Sequence, residues 1–166
     1  INDKIDYIYS YGVIHHTANP VITMKECYRL LKKDGIVLMY IYSCHENNLF
    51  KKIGVLLERK LMDKMTNLSD NSNLFICKAI TPLLWLIFTV PSRILKFFGM
   101  NSLARKFPMN WGTSPFSIYP DVKDRLLASI NYRFTRDEIK DLLCLTGLKP
   151  LKIVEDSTGI YLAAKK

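Results

Sequence analysis

Ile5, Tyr7 and Tyr9 alternate with Asp6 and Ile8, and β-branched and aromatic residues are dense there. That pattern predicts a strand. Ser10-Tyr11-Gly12 ends it, and Gly12 relieves a tight backbone position. Met24, Cys27, Tyr28 and Leu31 then fall at helical spacing, so a crossover helix is expected over Val21–Lys33. Asp34-Gly35 should stop it, with the glycine in the left-handed conformation. Ile36–Tyr42 is almost unbroken apolar sequence, the pattern of a strand covered on both faces. Strand, helix and strand in this order form a parallel βαβ unit with a right-handed crossover.

From Leu49 the texture changes. Leu49, Ile53, Leu56, Leu57, Leu61 and Met65 recur at helical spacing, with Lys51, Lys52, Glu58, Arg59, Lys60 and Lys64 elsewhere on the wheel. This predicts an amphipathic basic helix. Asn67–Asn73 reads as a polar break. Phe75–Phe98 is mostly apolar, and Ala79–Ser92 carries no charge. Those 14 uncharged residues fall short of the roughly 20 that span a bilayer, and Pro82 and Pro91 are expected to cut the stretch further. A buried lid helix, a partner surface and an interfacial anchor all fit it. Gly99–Pro120 reads as an aromatic loop holding Trp111, Phe116 and Tyr119, and Asp121–Ser129 as a short helix.

Regular order returns at Tyr132. Thr135 and Glu138 are spaced as a capping box. Ile139, Leu142, Leu143 and Leu145 supply an apolar face, and Thr146-Gly147 ends the helix. Leu151–Glu155 and Gly159–Ala164 read as strands joined by an Asp-Ser-Thr turn.

The charge is unevenly placed. Of a net +9, residues 1–47 contribute nothing, while residues 48–130 carry 12 basic and 5 acidic groups. A basic excess favours anionic partners such as lipid headgroups or nucleic acid, and a solvated lysine surface is the plainer explanation. Aromatic residues interleaved with basic ones are scarce: only Trp111 lies near Arg105-Lys106, which argues against a nucleic-acid groove. The 4 cysteines (Cys27, Cys44, Cys77, Cys144) form no Cys-x-x-Cys, so neither a zinc site nor disulfides are expected and a reducing cytoplasm fits. Cys27 and Cys144 sit on helical faces as small core residues.

Ile5-Asp6-Tyr7-Ile8-Tyr9-Ser10-Tyr11-Gly12-Val13-Ile14-His15-His16-Thr17, then Asn19-Pro20, then Lys25-Glu26-Cys27-Tyr28-Arg29-Leu30-Leu31-Lys32-Lys33-Asp34-Gly35, resembles the second half of a class I S-adenosylmethionine-dependent methyltransferase of the type 11 kind. Lys33-Asp34 stands where that family usually has proline-glycine, and Ile14 where it has leucine. Arg133–Ile139 with Leu142-Leu143 and Thr146-Gly147-Leu148 resembles the family's last helix. The resemblance implies an α/β fold: the C-terminal part of a Rossmann-like sheet, two parallel strands plus a closing antiparallel pair, with a helical insertion. The core would be residues 1–47 and 131–166, and residues 48–130 the insertion, a lid or substrate-recognition region. It also implies that a first strand, a glycine-rich loop and a ribose-binding acid lie outside this sequence, so that the 166-residue chain alone binds cofactor very weakly.

The resemblance implies S-adenosyl-L-methionine as cofactor, with Ser10, Tyr11, Gly12 and His15 around its methionine portion. In open α/β sheets ligands sit beyond the carboxyl ends of the strands, where Ser10–His16 falls. His15 and His16 are the candidate catalytic residues, as a base for an oxygen or nitrogen acceptor. Adjacent histidines point in different directions, so one can face the ligand while the other packs or caps. The Tyr11 ring face suits a cationic sulfonium. Tyr42, Ser43, Trp111 and Tyr119 are candidates for the acceptor side. No metal site is expected. The reading is methyl transfer to a small-molecule or lipid-like acceptor. The alternative is a non-catalytic module on a degenerate Rossmann-like fold that binds a membrane surface or a protein. Both place the protein in the cytoplasm, with peripheral contact to anionic membrane.

Overall fold

The structure, a computed structural model, describes residues 5–156 and 158–166. Ile1 and Asp3 of the opening segment and Ser157 of the expected turn lie outside the described residues. The chain forms two compact units: the described residues of Ile1–His45 with Ile130–Lys166, and Glu46–Ser129.

In the first unit, β1 (Ile5–Tyr11), α1 (Pro20–Leu30) and β2 (Leu31–Ile41) form the parallel βαβ element, followed by α7 (Arg136–Thr146), β3 (Lys149–Glu155) and β4 (Ile160–Lys165). The strand order is β1-β2-β4-β3, with β4 antiparallel to both of its neighbours. This is the mixed α/β sheet that the sequence implies. Alternation sets the faces: Val37, Met39 and Ile41 of β2, and Ile160, Leu162 and Ala164 of β4, bury against Met24 of α1 and Ile139 and Leu143 of α7. The other face is open at Leu38, Tyr7, Tyr9 and Tyr11, with Leu38 43% exposed, so β2 is not covered on both sides throughout.

Asn19 caps α1 by accepting from the Ile22 N–H, and Pro20 occupies its first turn. The helix ends at Leu30, three residues short of the expected Lys33. Leu31 already pairs with Ile5, and the next paired residues are Tyr7 and Ile36, so an irregularity in the ladder takes up Lys32–Gly35. Asp34, not Gly35, adopts the left-handed backbone, at φ 63°. Gly35 is required for space instead: a Cβ there would lie 2.9 Å from the Lys32 carbonyl and 3.2 Å from that of Asp6. Lys32 closes the irregularity by donating to the Asp6 carboxylate at 2.9 and 3.0 Å.

The capping box of α7 forms as expected, with Thr135 and Glu138 satisfying each other's amides. Gly147 ends the helix at φ 79°. The buried stripe is Ile139, Leu142, Leu143 and Thr146. Leu145 and Cys144 point to solvent, off that spacing, which corrects their assignment to the core.

The second unit is helical: α2 (Leu49–Met65), α3 (Asp70–Leu84), a π turn at Trp85–Thr89, α4 (Val90–Phe97), α5 (Asn101–Ala104) and α6 (Pro115–Leu127). Its core is Met65, Cys77, Val122 and Leu126, with Leu61, Ile80, Leu84 and Tyr119 against it. The polar break is shorter than expected, because Ser69 caps α3 by accepting from the Ser72 N–H. Pro82 and Pro91 do not cut the apolar stretch. The π turn carries the helix through, with the Val90 N–H donating to the Trp85 carbonyl. Asp70–Phe97 is thus one 28-residue helix, long and apolar enough to cross a membrane by length and composition. The expected aromatic loop is helical from Pro115: Ser114 and Ser117 form a capping box there, which brings Tyr119 onto a helix.

Candidate active site

β1 ends at Tyr11, and Gly12 follows at φ 72° with nothing within 4 Å of the position a Cβ would take. Its N–H donates to the Tyr40 carbonyl at 3.0 Å, so the turn is laid against β2. Ile14–His16 then forms a short 3-10 turn, with Ile14 buried in the core beneath it. The carboxyl ends of the two parallel strands thereby bring Ser10, Tyr11, Gly12, His15, His16, Tyr42 and Ser43 into one region of one unit.

The two histidines have different surroundings. His15 is fully buried, and its ring stacks on that of Tyr42 with centroids 4.0 Å apart. Its carbonyl accepts from the Tyr132 N–H at 2.9 Å. His16 is half-buried, with its ring centroid 4.3 Å from that of His15. Its Nδ1 donates to the Ile130 carbonyl at 2.6 Å, since a carbonyl only accepts. In the neutral ring that tautomer makes Nε2 the acceptor nitrogen.

Tyr42 and Ser43 close the other side. The Phe134 N–H donates to the Tyr42 carbonyl at 3.0 Å, and Ser43 bridges to Phe134. Ser43 Oγ donates to Glu155 and accepts from the His45 N–H at 2.8 Å. The Arg133 guanidinium lies 5.1 Å from the Tyr42 ring centroid. Arg133 and Tyr40 belong to the region although sequence reasoning passed over both. The signal for Arg133 was its place just before the capping box, and Tyr40 lies two residues from Tyr42 on the same strand face.

Tyr11 and Tyr40 stack with centroids 4.4 Å apart, and Tyr40 continues to Tyr161 at 4.8 Å and Tyr42 at 6.0 Å. The Tyr40 hydroxyl donates to the Thr158 carbonyl at 2.9 Å. Burial pushes the Tyr11 phenol above its ordinary value, and a hydrogen bond with Tyr161 adds to the rise. The strand ends thus present an aromatic row beside a glycine turn, suited to a cation with an apolar body.

Trp111 and Tyr119 lie in the second unit. Trp111 is half-exposed in a turn, and Tyr119 sits on α6 beside the Met65 and Cys77 core. Among the described residues no group of three or more His, Cys, Asp or Glu side chains is placed to hold a metal ion.

Residues 1–39 match the family model described as "Methyltransferase domain". The match covers the glycine turn, both histidines and most of β2, so the likeness to a methyltransferase domain holds over this segment. No curated protein matches the chain. Among solved structures, the pyocyanin biosynthetic protein PhzM aligns over 100% of this chain at 13% identity, with a TM-score of 0.44. The chain spans 32% of that protein's length.

Proposed function

We propose that this chain is part of an S-adenosylmethionine-dependent methyltransferase acting on a small-molecule or lipid-like acceptor. The observation that supports it most is the coincidence of the methyltransferase-domain match with a glycine turn and a histidine pair at the carboxyl ends of parallel strands. The residues present suit the methionine end of that cofactor. Gly12 leaves open the space a side chain would fill, and the Tyr11–Tyr40 pair offers ring faces to a sulfonium. When bound, S-adenosylmethionine supplies an electrophilic methyl group.

The chain's own residues position the acceptor and move its proton. His16, anchored through Nδ1, holds Nε2 as the basic nitrogen for an oxygen or nitrogen acceptor. His15, buried under Tyr42, serves as packing that fixes the plane of that ring. Tyr42 and Ser43 are the acceptor-side residues nearest this turn in the strand order. Holding an acceptor in line with a leaving group supplies much of the rate in such a displacement.

The test is methyl-tritiated S-adenosylmethionine incubated with the full reading frame containing this chain and a pool of extracted lipids, phenols and amines. Label should pass to an extractable acceptor, and Gly12→Val should reduce cofactor affinity about tenfold or more, as a Cβ enters the approach. Neither label transfer nor cofactor binding by the full frame would leave the non-catalytic alternative in its place.

A further inference from the structure

In the second unit, polarity runs inside out. Along Asp70–Phe97 the buried positions are Cys77, Thr81, Thr89 and Ser92. Their hydroxyls are satisfied by backbone: Thr81 donates to the Cys77 carbonyl at 2.6 Å, Thr89 to that of Met109 at 2.9 Å and Ser92 to that of Ala104 at 3.0 Å. Phe75, Leu83, Leu86, Ile87, Ile94 and Phe97 are exposed instead, and only 17% of the most apolar window is buried. A helix packed in a water-soluble core shows the reverse arrangement. The same inversion recurs on α2, where Lys51 is buried while Leu49, Phe50, Ile53, Leu56 and Leu57 face outward.

Isolated exposed leucines need no explanation, but contiguous apolar faces on two helices do. The charge identifies the occupant. Residues 48–130 carry 12 basic groups against 5 acidic, most of the chain's net +9. Lys78, Arg93 and Lys96 are exposed on the apolar helix itself. An apolar face set among cations matches an anionic lipid surface, with acyl chains for the side chains and headgroups for the lysines.

The geometry points to a membrane-docking surface: we propose that Glu46–Ser129 lies in the plane of an anionic bilayer, inserting the outward row Phe75, Leu83, Leu86 and Ile94. The helix lies in the interface and does not span. The helix is long enough to cross, but its hydroxyl-lined side is held by Met109 and Ala104 of its own unit, which leaves the opposite apolar row to face the lipid. This inference does not depend on methyl transfer.

Flotation of the full chain with phosphatidylcholine vesicles, with and without phosphatidylglycerol, tests it. Binding is expected with phosphatidylglycerol and should weaken about fivefold or more without it or at high salt. Leu83→Glu with Leu86→Glu, both at solvent-facing positions, should reduce binding about tenfold or more with an unchanged circular dichroism spectrum. Lys78→Glu should weaken it less, and only on the anionic vesicles. Three results overturn the proposal: no flotation with anionic vesicles, flotation unaffected by the double substitution, or bound protein that resists alkaline carbonate, which marks a spanning helix. Self-association lost in the double variant without vesicle binding would assign the face to a protein contact and overturn it equally.

Discussion

At the scale of single residues, the glycines separate two kinds of constraint. Gly12 has a left-handed backbone and open space, so Gly12→Ala should cost about 1–2 kcal/mol from conformation alone. Gly159 has no such backbone, but a Cβ there would lie 2.7 Å from the Ile41 carbonyl and from the Tyr40 ring. Gly159→Ala should therefore destabilise more than Gly12→Ala, by about 2 kcal/mol or more, and urea denaturation of both variants ranks them. Tyr11 gives a pH prediction. Its folded-state pKa lies above the ordinary 10.0, so the unfolded chain loses this proton first and stability falls as pH rises past that value. In phenolate absorbance, Tyr11→Phe should remove amplitude from the late part of the titration, and in denaturation it should remove this group's share of the alkaline loss. The histidine pair was legible as chemistry but not as roles. Two adjacent imidazoles look alike in sequence, and only the ring of Tyr42 and the carbonyl of Ile130 tell them apart.

At the scale of elements, local signals were read well where they close on themselves. The Thr135–Glu138 box is complete within four residues, and Thr135→Ala should cost about 1 kcal/mol in thermal or urea unfolding. The end of α1 was misread because Lys32–Gly35 is shaped by a partner strand 26 residues away, through Asp6. The prolines were expected to break the apolar helix, but Pro82 is carried within α3 and Pro91 lies just after a π turn, which no periodicity announces. That turn adds one residue to the helical repeat, which returns Thr89 and Ser92 to the side occupied by Cys77 and Thr81. Deleting Ile87 should therefore remove the extra residue and leave plain α-helix with the residues beyond it in their present register, Ser92 still facing the Ala104 carbonyl. Retained helicity and a little-changed melting temperature are the expected readouts, and a large loss of either would mean that the π turn itself holds the fold.

For the whole molecule, two cores of unequal size set the order of unfolding. Among the described residues, the first unit's cluster has Met24, Val37, Ile139 and Leu143 among 13 buried residues, and the second unit's has 4. Cys27 packs against the first and Cys77 lies within the second, and burial pushes both thiols up. Pulsed thiol labelling through a urea series should modify exposed Cys144 without denaturant, Cys77 next and Cys27 last. Coincident labelling of Cys27 and Cys77 would mean a single cooperative transition. The sheet was legible because alternation and a nearly fixed motif agree. In the second unit the helical character and the span of α2 were legible, but the buried faces were not, because its helices present apolar residues to solvent and the rule that hydrophobic periodicity marks a buried face fails there.

Both tryptophans of the chain, Trp85 in the π turn and Trp111, belong to the helical unit. Excitation at the red edge of protein absorbance therefore reads that unit alone and is silent on the sheet. Trp85 lies between Leu83 and Leu86, both inserted in the lipid proposal, so its emission colour and quenching by brominated acyl chains become a built-in depth gauge. The tyrosine-rich sheet supplies the complementary optical channel, and the two halves of the molecule can be followed in one cuvette without a label.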